Sequence, residues 1–283
     1  MLIVAIGIIK LPRMVVLTIS IVTYHTAPAL VQDAWPTILE AAERAVALGM
    51  CSRFTLILVD NAQPGDRATV DFVERHARSR IELHTGHGNI GFGAGHNLAL
   101  RNARSDYHLV LNPDVKLAPD AIAEALRFME AHPECGLLAP AVYDEHGERQ
   151  YLCKRYPAVL DFFLRGFAPA WLRRRFHARL NRYELRDVVR DSVLWDPPVV
   201  SGSFMFFRTA VLERLGGFDP RFFLYLEDFD LTLRTASIAR VAYVPWVRIT
   251  HYGGHAARKG WDHVRMFVTA AFKFYRKNGW KWV

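Results

Sequence analysis

The chain has 283 residues, 51% of them hydrophobic and 23% charged, with no low-complexity tract and no repeat, which describes one large globular domain or two closely joined halves. Three cysteines, Cys51, Cys135 and Cys153, are odd in number and lack the close pairing of a zinc knuckle, so no disulfide framework is expected and they read as reduced thiols in a cytoplasmic protein. The net charge of +8 calls for a polyanionic partner: nucleic acid, an anionic membrane or a diphosphate-bearing substrate.

The first residues, MLIVAIGII, are apolar but far shorter than the roughly 20 needed to cross a bilayer. Lys10, Pro12 and Arg13 follow the apolar run rather than precede it, against the order of a secretory signal, and residues 1–13 read as an extension outside the fold. From Val15 to Val22 the chain reads as a strand, from about Val31 to Leu48 as a helix, and from Phe54 to Val59 as a second strand. Strand patterns return at Arg80 to His84 and Tyr107 to Leu111, with a helical segment from about Ala94 to Ala103 between them and another after Pro119. This alternation predicts an α/β fold with a doubly wound, mostly parallel central sheet. After Pro140 the pattern loosens into an aromatic and arginine-rich segment, roughly Tyr151 to Arg190, before ordered signals resume at Val199 and Ala210. Residues 14–115 are expected to bind a nucleotide, and residues 116–283 to bind an acceptor within the same domain.

Open parallel sheets bind ligands beyond the carboxyl ends of their strands. Those positions here carry Thr23-Tyr24-His25, Asp60-Asn61, the run from Gly88 to Asn97 (GNIGFGAGHN) and Asn112-Pro113-Asp114. A carboxylate or amide there can bond a base or ribose, and glycines let backbone amides approach a diphosphate. Taken singly, Asp60-Asn61 reads more readily as an ordinary turn and the glycines as the end of a strand.

Seven stretches in order, SIVTYH, LVDNAQPGD, GNIGFGAGHN, LNPDV, SGSFMFFR, GGFDPRFFLYLEDFDLTLR and HYGGH, resemble the family 2 glycosyltransferases, which have the GT-A fold. The NPD form, the GFG-G-N loop and FDPRFFLYLEDFDL most resemble the bacterial rhamnosyltransferase branch. The resemblance implies nucleotide-sugar contacts from Thr23, Tyr24, Asp60, Asn61, Asn89, Gly91, Phe92, Gly93, Asn97, Asn112, Asp114 and Arg258. It implies a Mg²⁺ or Mn²⁺ cofactor at Asp114 and His251. Asp114 suits such a cation, which takes only one or two protein carboxylates when substrate phosphates complete its shell. Asn112 stands where many relatives have a further aspartate, which leaves one carboxylate.

By the same resemblance Asp228 is the catalytic base, with Ser203, Glu227 and Asp230 on the acceptor side. Adjacent helical residues point about 100° apart, so Glu227 and Asp228 cannot both address one hydroxyl. Asp230 and Arg234 are spaced to pair on one helix face. His251 and His255 do not make a helical zinc pair, because Gly253-Gly254 argues against a helix.

The implied donor is dTDP-L-rhamnose, with UDP-linked galactofuranose or N-acetylhexosamine as the alternative, and the implied acceptor is a glycan or a polyprenyl-diphosphate-linked sugar in cell-surface polysaccharide synthesis. Aromatics and arginines interleave from Phe162 to Arg182, and aromatics recur from Phe267 to Trp282. Such stretches suit peripheral binding to the anionic inner face of the cell membrane, or packing in a core or homodimer interface. The arginine cluster is accompanied by no nucleic-acid-binding motif, so no nucleic acid is expected. A nicotinamide enzyme is disfavoured because the glycine loop follows the third strand, not the first, and is not GxGxxG.

Overall fold

The computed structural model describes residues 15–76, 80–101, 103–253 and 260–283. In chain order the elements are β1 (Val16–Thr23), α1 (Pro28–Ala47), β2 (Arg53–Asp60), α2 (Arg67–Arg75), β3 (Ile81–His84), α3 (Phe92–Leu100), β4 (Tyr107–Leu111) and β5 (Val115–Leu117). There follow α4 (Ala121–Ala131), β6 (Cys135–Tyr143), β7 (Arg149–Gln150), β8 (Cys153–Lys154), α5 (Val159–Gly166), α6 (Ala170–Arg175) and α7 (His177–Tyr183). The chain closes with β9 (Leu194–Trp195), β10 (Val199–Val200), β11 (Phe204–Arg208), α8 (Thr209–Arg214), α9 (Glu227–Ala236), β12 (Arg240–His251) and α10 (Trp261–Asn278).

The main sheet runs β3-β2-β1-β4-β11-β6-β12-β5. Strands β3, β2, β1 and β4 are mutually parallel, as the alternation predicts. Strand β11 enters antiparallel between β4 and β6, so the two halves of the chain share one continuous sheet.

Strand β1 is buried almost throughout, as expected of a strand covered on both faces. Its period of two sends Leu17, Ile19 and Ile21 into one core with Trp35, Ile38 and Ala42 of α1. Thr18 and Ser20 face the other way, where Ser20 Oγ bonds His96 Nδ1 at 2.7 Å and His108 Nε2 at 2.9 Å. Burial pulls His108 down to about 4 and His96 well below its ordinary value. Both rings are therefore neutral near pH 7, and they fasten α3 to the sheet without a buried charge.

The observed boundaries shift by a few residues: α1 begins at Pro28, a residue suited to the first helical turn, and α3 begins at Phe92 rather than near Ala94. Helix α2 has no counterpart in the sequence reading, because only Thr69 and Phe72 of it are buried and its apolar signal is weak. The loose segment after Tyr151 contains the short helices α5, α6 and α7, of which α6 buries no residue. All three cysteines are buried and free. Residues 1–13 lie outside the described residues.

Candidate active site

The carboxyl ends of β1, β2 and β4 meet at one edge of the sheet, together with the loop between β3 and α3. Asp60 is 1% exposed, and its oxygens are engaged by the chain itself. Oδ1 accepts from the Ala62 amide at 3.0 Å and from the Thr23 hydroxyl at 3.2 Å, and Oδ2 accepts from the Asp66 amide at 2.6 Å. Asp60 and Thr23 thus shape the loop after β2. Asn61 carries that order onward: its amide donates to the Gly91 carbonyl at 3.2 Å and to Asn89 Oδ1 at 3.4 Å, while its carbonyl oxygen meets His87 Nε2 at 3.0 Å.

The glycine run is explained by packing against the protein. A Cβ at Gly91, whose φ is 91°, would meet the Phe223 carbonyl oxygen at 2.5 Å. At Gly93 it would meet the Phe218 Cβ at 2.8 Å, and at Gly95 a Val22 methyl at 2.7 Å. The Phe92 amide donates to the Phe223 carbonyl at 3.0 Å. Asn97, expected at the nucleotide, instead donates to the Phe218 carbonyl and accepts from the Phe218 amide, each at 2.8 Å, so both ends of its side chain are used to staple α3 to a turn far along the chain. The exposed candidates on this edge are Tyr24 and Asn89, with Asn112 and Asp114 half-buried.

Asp114 and His251 are brought together by the antiparallel pairing of β5 with β12, which sets His251 opposite Val115. His251 Nε2 lies 3.4 Å from Asp114 Oδ1. Beside them Gly253 leaves a cradle: a Cβ there would come within 2.5 Å of His251 Nε2 and 2.8 Å of Asp114 Oδ2. His251 Nδ1 is buried without a hydrogen-bond partner. A carboxylate and an imidazole at this separation fit two positions of a divalent cation's shell. No third metal-ligating side chain joins them among the described residues, so other oxygens, such as those of a diphosphate, would have to complete it.

The acidic cluster opens α9, and Glu227, Asp228 and Asp230 all fall in its first turn, where the helix dipole favours negative charge. The residues just before it, Tyr225 and Leu226, hold positive φ of 73° and 64°, a strained backbone that aims the first turn. Asp228 is half-buried. Its Oδ2 accepts from the Gly202 amide at 2.7 Å and its Oδ1 from the Phe229 amide at 2.8 Å. Burial pushes its carboxyl up to about 6, against those two amides and the nearby Lys154 ammonium, which favour the charged form.

Glu227 is only 4% exposed. Burial, and then the charge of Asp228, push it up to about 8, so that it is protonated near pH 7. Asp230 is fully buried and its oxygens are taken by Arg234 at 2.8 Å, Lys277 at 2.6 Å and Asn278 at 3.3 Å. It therefore braces α9 against α10 rather than facing an acceptor. The expected pairing of Asp230 with Arg234 is present.

The Asn112-Pro113-Asp114 turn and the acidic cluster are joined through Gly202-Ser203. While Gly202 donates to Asp228, the buried Ser203 accepts from the Asn112 amide through its carbonyl at 3.0 Å. A Cβ at Gly202 would stand 3.1 Å from that of Asp228, so a side chain there would crowd the carboxylate. Sequence reasoning missed Gly202, Gly253 and Lys154. The first two lie inside quoted motifs, SGS and HYGGH, whereas Lys154, 4% exposed with burial pulling its ammonium down to about 7, has no local signal. Arg258 lies outside the described residues.

A family model described as "Glycosyl transferase family 2" matches residues 18–216. The chain is 27% identical to the N-acetylglucosaminyl-diphospho-decaprenol L-rhamnosyltransferase of Mycobacterium tuberculosis (strain CDC 1551 / Oshkosh), over 94% of this chain and 86% of that protein. It is 28% identical to the rhamnosyltransferase WbbL of Escherichia coli (strain K12), over 69% of this chain and 71% of that one. Among solved structures it resembles the mannosyltransferase PcManGT of Pyrobaculum calidifontis, described in complex with GDP-Man and Mn²⁺, with a TM-score of 0.57 and 18% identity, over 93% of this chain and 65% of that one. The structural likeness shows the fold, a GT-A arrangement.

Proposed function

Because the chain belongs to glycosyl transferase family 2 and is a glycosyltransferase, we propose that it moves L-rhamnose from dTDP-L-rhamnose, with inversion, to a polyprenyl-diphosphate-linked sugar. The observation that carries this reading is the half-buried Asp228, oriented by two backbone amides and linked through Gly202-Ser203 to the Asn112-Pro113-Asp114 turn. The names of the relatives supply the donor sugar and the acceptor class.

In the reaction an acceptor hydroxyl oxygen attacks the anomeric carbon of the donor while its proton passes to Asp228. The bond from that carbon to the diphosphate oxygen breaks on the opposite face, and the nucleoside diphosphate leaves with the electron pair. Asp228 is suited to the task because burial raises its basicity while the Gly202 and Phe229 amides keep both oxygens in one orientation. Asp114 and His251 would hold Mg²⁺ or Mn²⁺, whose charge offsets that developing on the departing diphosphate. Tyr24 and Asn89, exposed beyond the strand ends, would contact the nucleotide from a frame set by Asp60, Asn61 and Asn97.

The test is a donor screen by mass spectrometry, with dTDP-L-rhamnose, UDP-galactofuranose and UDP-N-acetylhexosamines offered alongside an N-acetylglucosaminyl-diphosphoprenol. Transfer of a deoxyhexose with inverted anomeric configuration is expected. Transfer from a UDP-sugar alone replaces the donor, and retained configuration overturns the mechanism.

The reading also places the protein against the membrane that holds such an acceptor. No helix among the described residues is long and apolar enough to cross a bilayer. The aromatics of the arginine-rich segment divide: Phe162 packs on Phe267 with rings 5.2 Å apart, whereas Phe163, Phe167 and Trp171 are 48%, 48% and 64% exposed. Arg173, Arg174 and Arg175 close the exposed helix α6. Each basic residue near an anionic surface contributes about 1 kcal/mol, so changing all three to glutamate is expected to release the protein from phosphatidylserine or phosphatidylglycerol liposomes in flotation assays. If the unaltered protein ignores such liposomes at low salt, the membrane assignment is wrong.

A further inference from the structure

A groove of about 360 Å³ lies outside the site described above, between α10 and the turn at Phe222–Leu224. Its walls are apolar, with Phe222, Phe223 and Leu224 on one side and Met266 on the other, and its rim carries Arg265 and Lys273 against the single acid Asp262. We propose that this groove takes the diphosphate and first prenyl units of the lipid-linked acceptor, an inference that rests on the acceptor class proposed above.

Position is the first argument. The turn that forms one wall runs through the left-handed residues Tyr225 and Leu226 straight into the first turn of α9, so the groove ends next to the segment that carries Asp228. It is held there from both sides. Tyr225 Oη meets His263 Nδ1 of α10 at 2.8 Å, the Phe223 carbonyl accepts from the Phe92 amide at 3.0 Å, and Lys273 Nζ donates to the Arg221 carbonyl at 2.7 Å.

Chemistry is the second. An apolar channel with a cationic rim matches a ligand in which a hydrocarbon chain joins a diphosphate, and neither half alone would use both features. Arg265 makes no ion pair among the described residues, which leaves its guanidinium available to phosphate oxygens. The volume is at the small end of ligand pockets, about 300–1,000 Å³, so only the beginning of a long prenyl chain fits and the remainder must stay in lipid.

The outer face of α10 provides for that. Trp261, Val268 and Phe272 are 86%, 54% and 56% exposed, and their spacing of seven and four residues puts them on one stripe of the helix with Arg265. Ala270 and Phe274 are buried on the opposite face. A helix that is apolar on both faces, with basic residues between, can lie in the headgroup region while its inner face stays packed on the protein. The groove then opens at the depth where a prenyl diphosphate sits.

The test measures binding and transfer separately. Farnesyl diphosphate, inorganic pyrophosphate and farnesol are titrated into the full chain by calorimetry, with Arg265→Glu/Lys273→Glu and Met266→Glu as variants and thermal melting as the control for folding. Farnesyl diphosphate is expected to bind at least about tenfold more tightly than either fragment, because only it fills both the channel and the rim. Each variant should lose about tenfold of that affinity, as expected for losing charge-assisted or buried apolar contacts, with unchanged affinity for the nucleoside diphosphate. The KM for an N-acetylglucosaminyl-diphosphoprenol should rise by a similar factor while kcat holds.

Equal binding of pyrophosphate and farnesyl diphosphate, or variants that bind farnesyl diphosphate like the unaltered protein, would overturn the inference. So would a concentration-dependent dimer, seen by light scattering, that Met266→Glu dissolves while farnesyl diphosphate binding persists, since the groove would then be an interface between copies. If farnesyl diphosphate binds as expected but no sugar is transferred to any prenyl-linked acceptor, the groove assignment stands and the proposed reaction is what fails.

Discussion

Asp228→Asn is expected to lower glycosyl transfer by about 10²- to 10⁴-fold, the usual contribution of a general base, while affinity for the nucleoside diphosphate stays near that of the unaltered protein. The amide keeps the size of the carboxylate, and its oxygen can still accept from Gly202 or Phe229, so the first turn of α9 should hold its place. What it lacks is the capacity to take the acceptor's proton. Glu227→Gln should cost far less, because Glu227 is buried and protonated near pH 7, whereas Asp228 is half-buried. Single-turnover kinetics separate the chemical step from binding. An Asp228→Asn protein with near-normal turnover, or a dead Glu227→Gln protein that melts normally, would move the base to Glu227.

The pH profile gives a linked check. A base must be deprotonated to act, and burial raises Asp228 to about 6. Transfer is therefore expected to fall as pH drops through about 6, well above the point at which an ordinary aspartate would titrate. A rate that stays level down to pH 5 would contradict that environment for the base.

Asp114→Ala should be nearly as severe, lowering transfer by at least about 10²-fold, since a cation stabilising a departing diphosphate supplies several kcal/mol. The informative readout is binding. Affinity for dTDP should fall in the variant when Mg²⁺ or Mn²⁺ is present and match that of the unaltered protein in EDTA. The pairing of Asp114 with His251 and the bare Gly253 beside them underlie this expectation. Full transfer in EDTA would remove the cation from the mechanism.

Much of the fold was legible in the sequence, because runs such as VLTISIVT and YHLVL are signals of local origin: a strand covered on both faces must be apolar along its length. The candidate site was legible at the same level, since a ligand edge lies beyond the carboxyl ends of parallel strands and the residues there can be read off once the strands are found. That placed Asp114 among the candidates, whereas Asp228 came only from the resemblance of its stretch to the family 2 glycosyltransferases. Helix α2 escaped because it is short and mostly polar, with only Thr69 and Phe72 buried.

What the sequence by itself determined, then, is the α/β alternation, the strand-end motifs and the likeness to a family. The tertiary structure decided what each polar residue has left to offer a substrate, because that depends on neighbours distant in sequence. Asn97 and Gly93 look like ligand-loop residues until Phe218 is found against both of them. Asp60 looks free until the Ala62 and Asp66 amides are counted. Asp114 meets His251 because β12 pairs with β5, and Asp228 is set apart from Glu227 by its greater exposure and by the Gly202 and Phe229 amides that hold it. Local pattern records which face of a strand or helix is apolar, whereas hydrogen-bond satisfaction and burial are properties of non-local contacts, which no window of sequence contains.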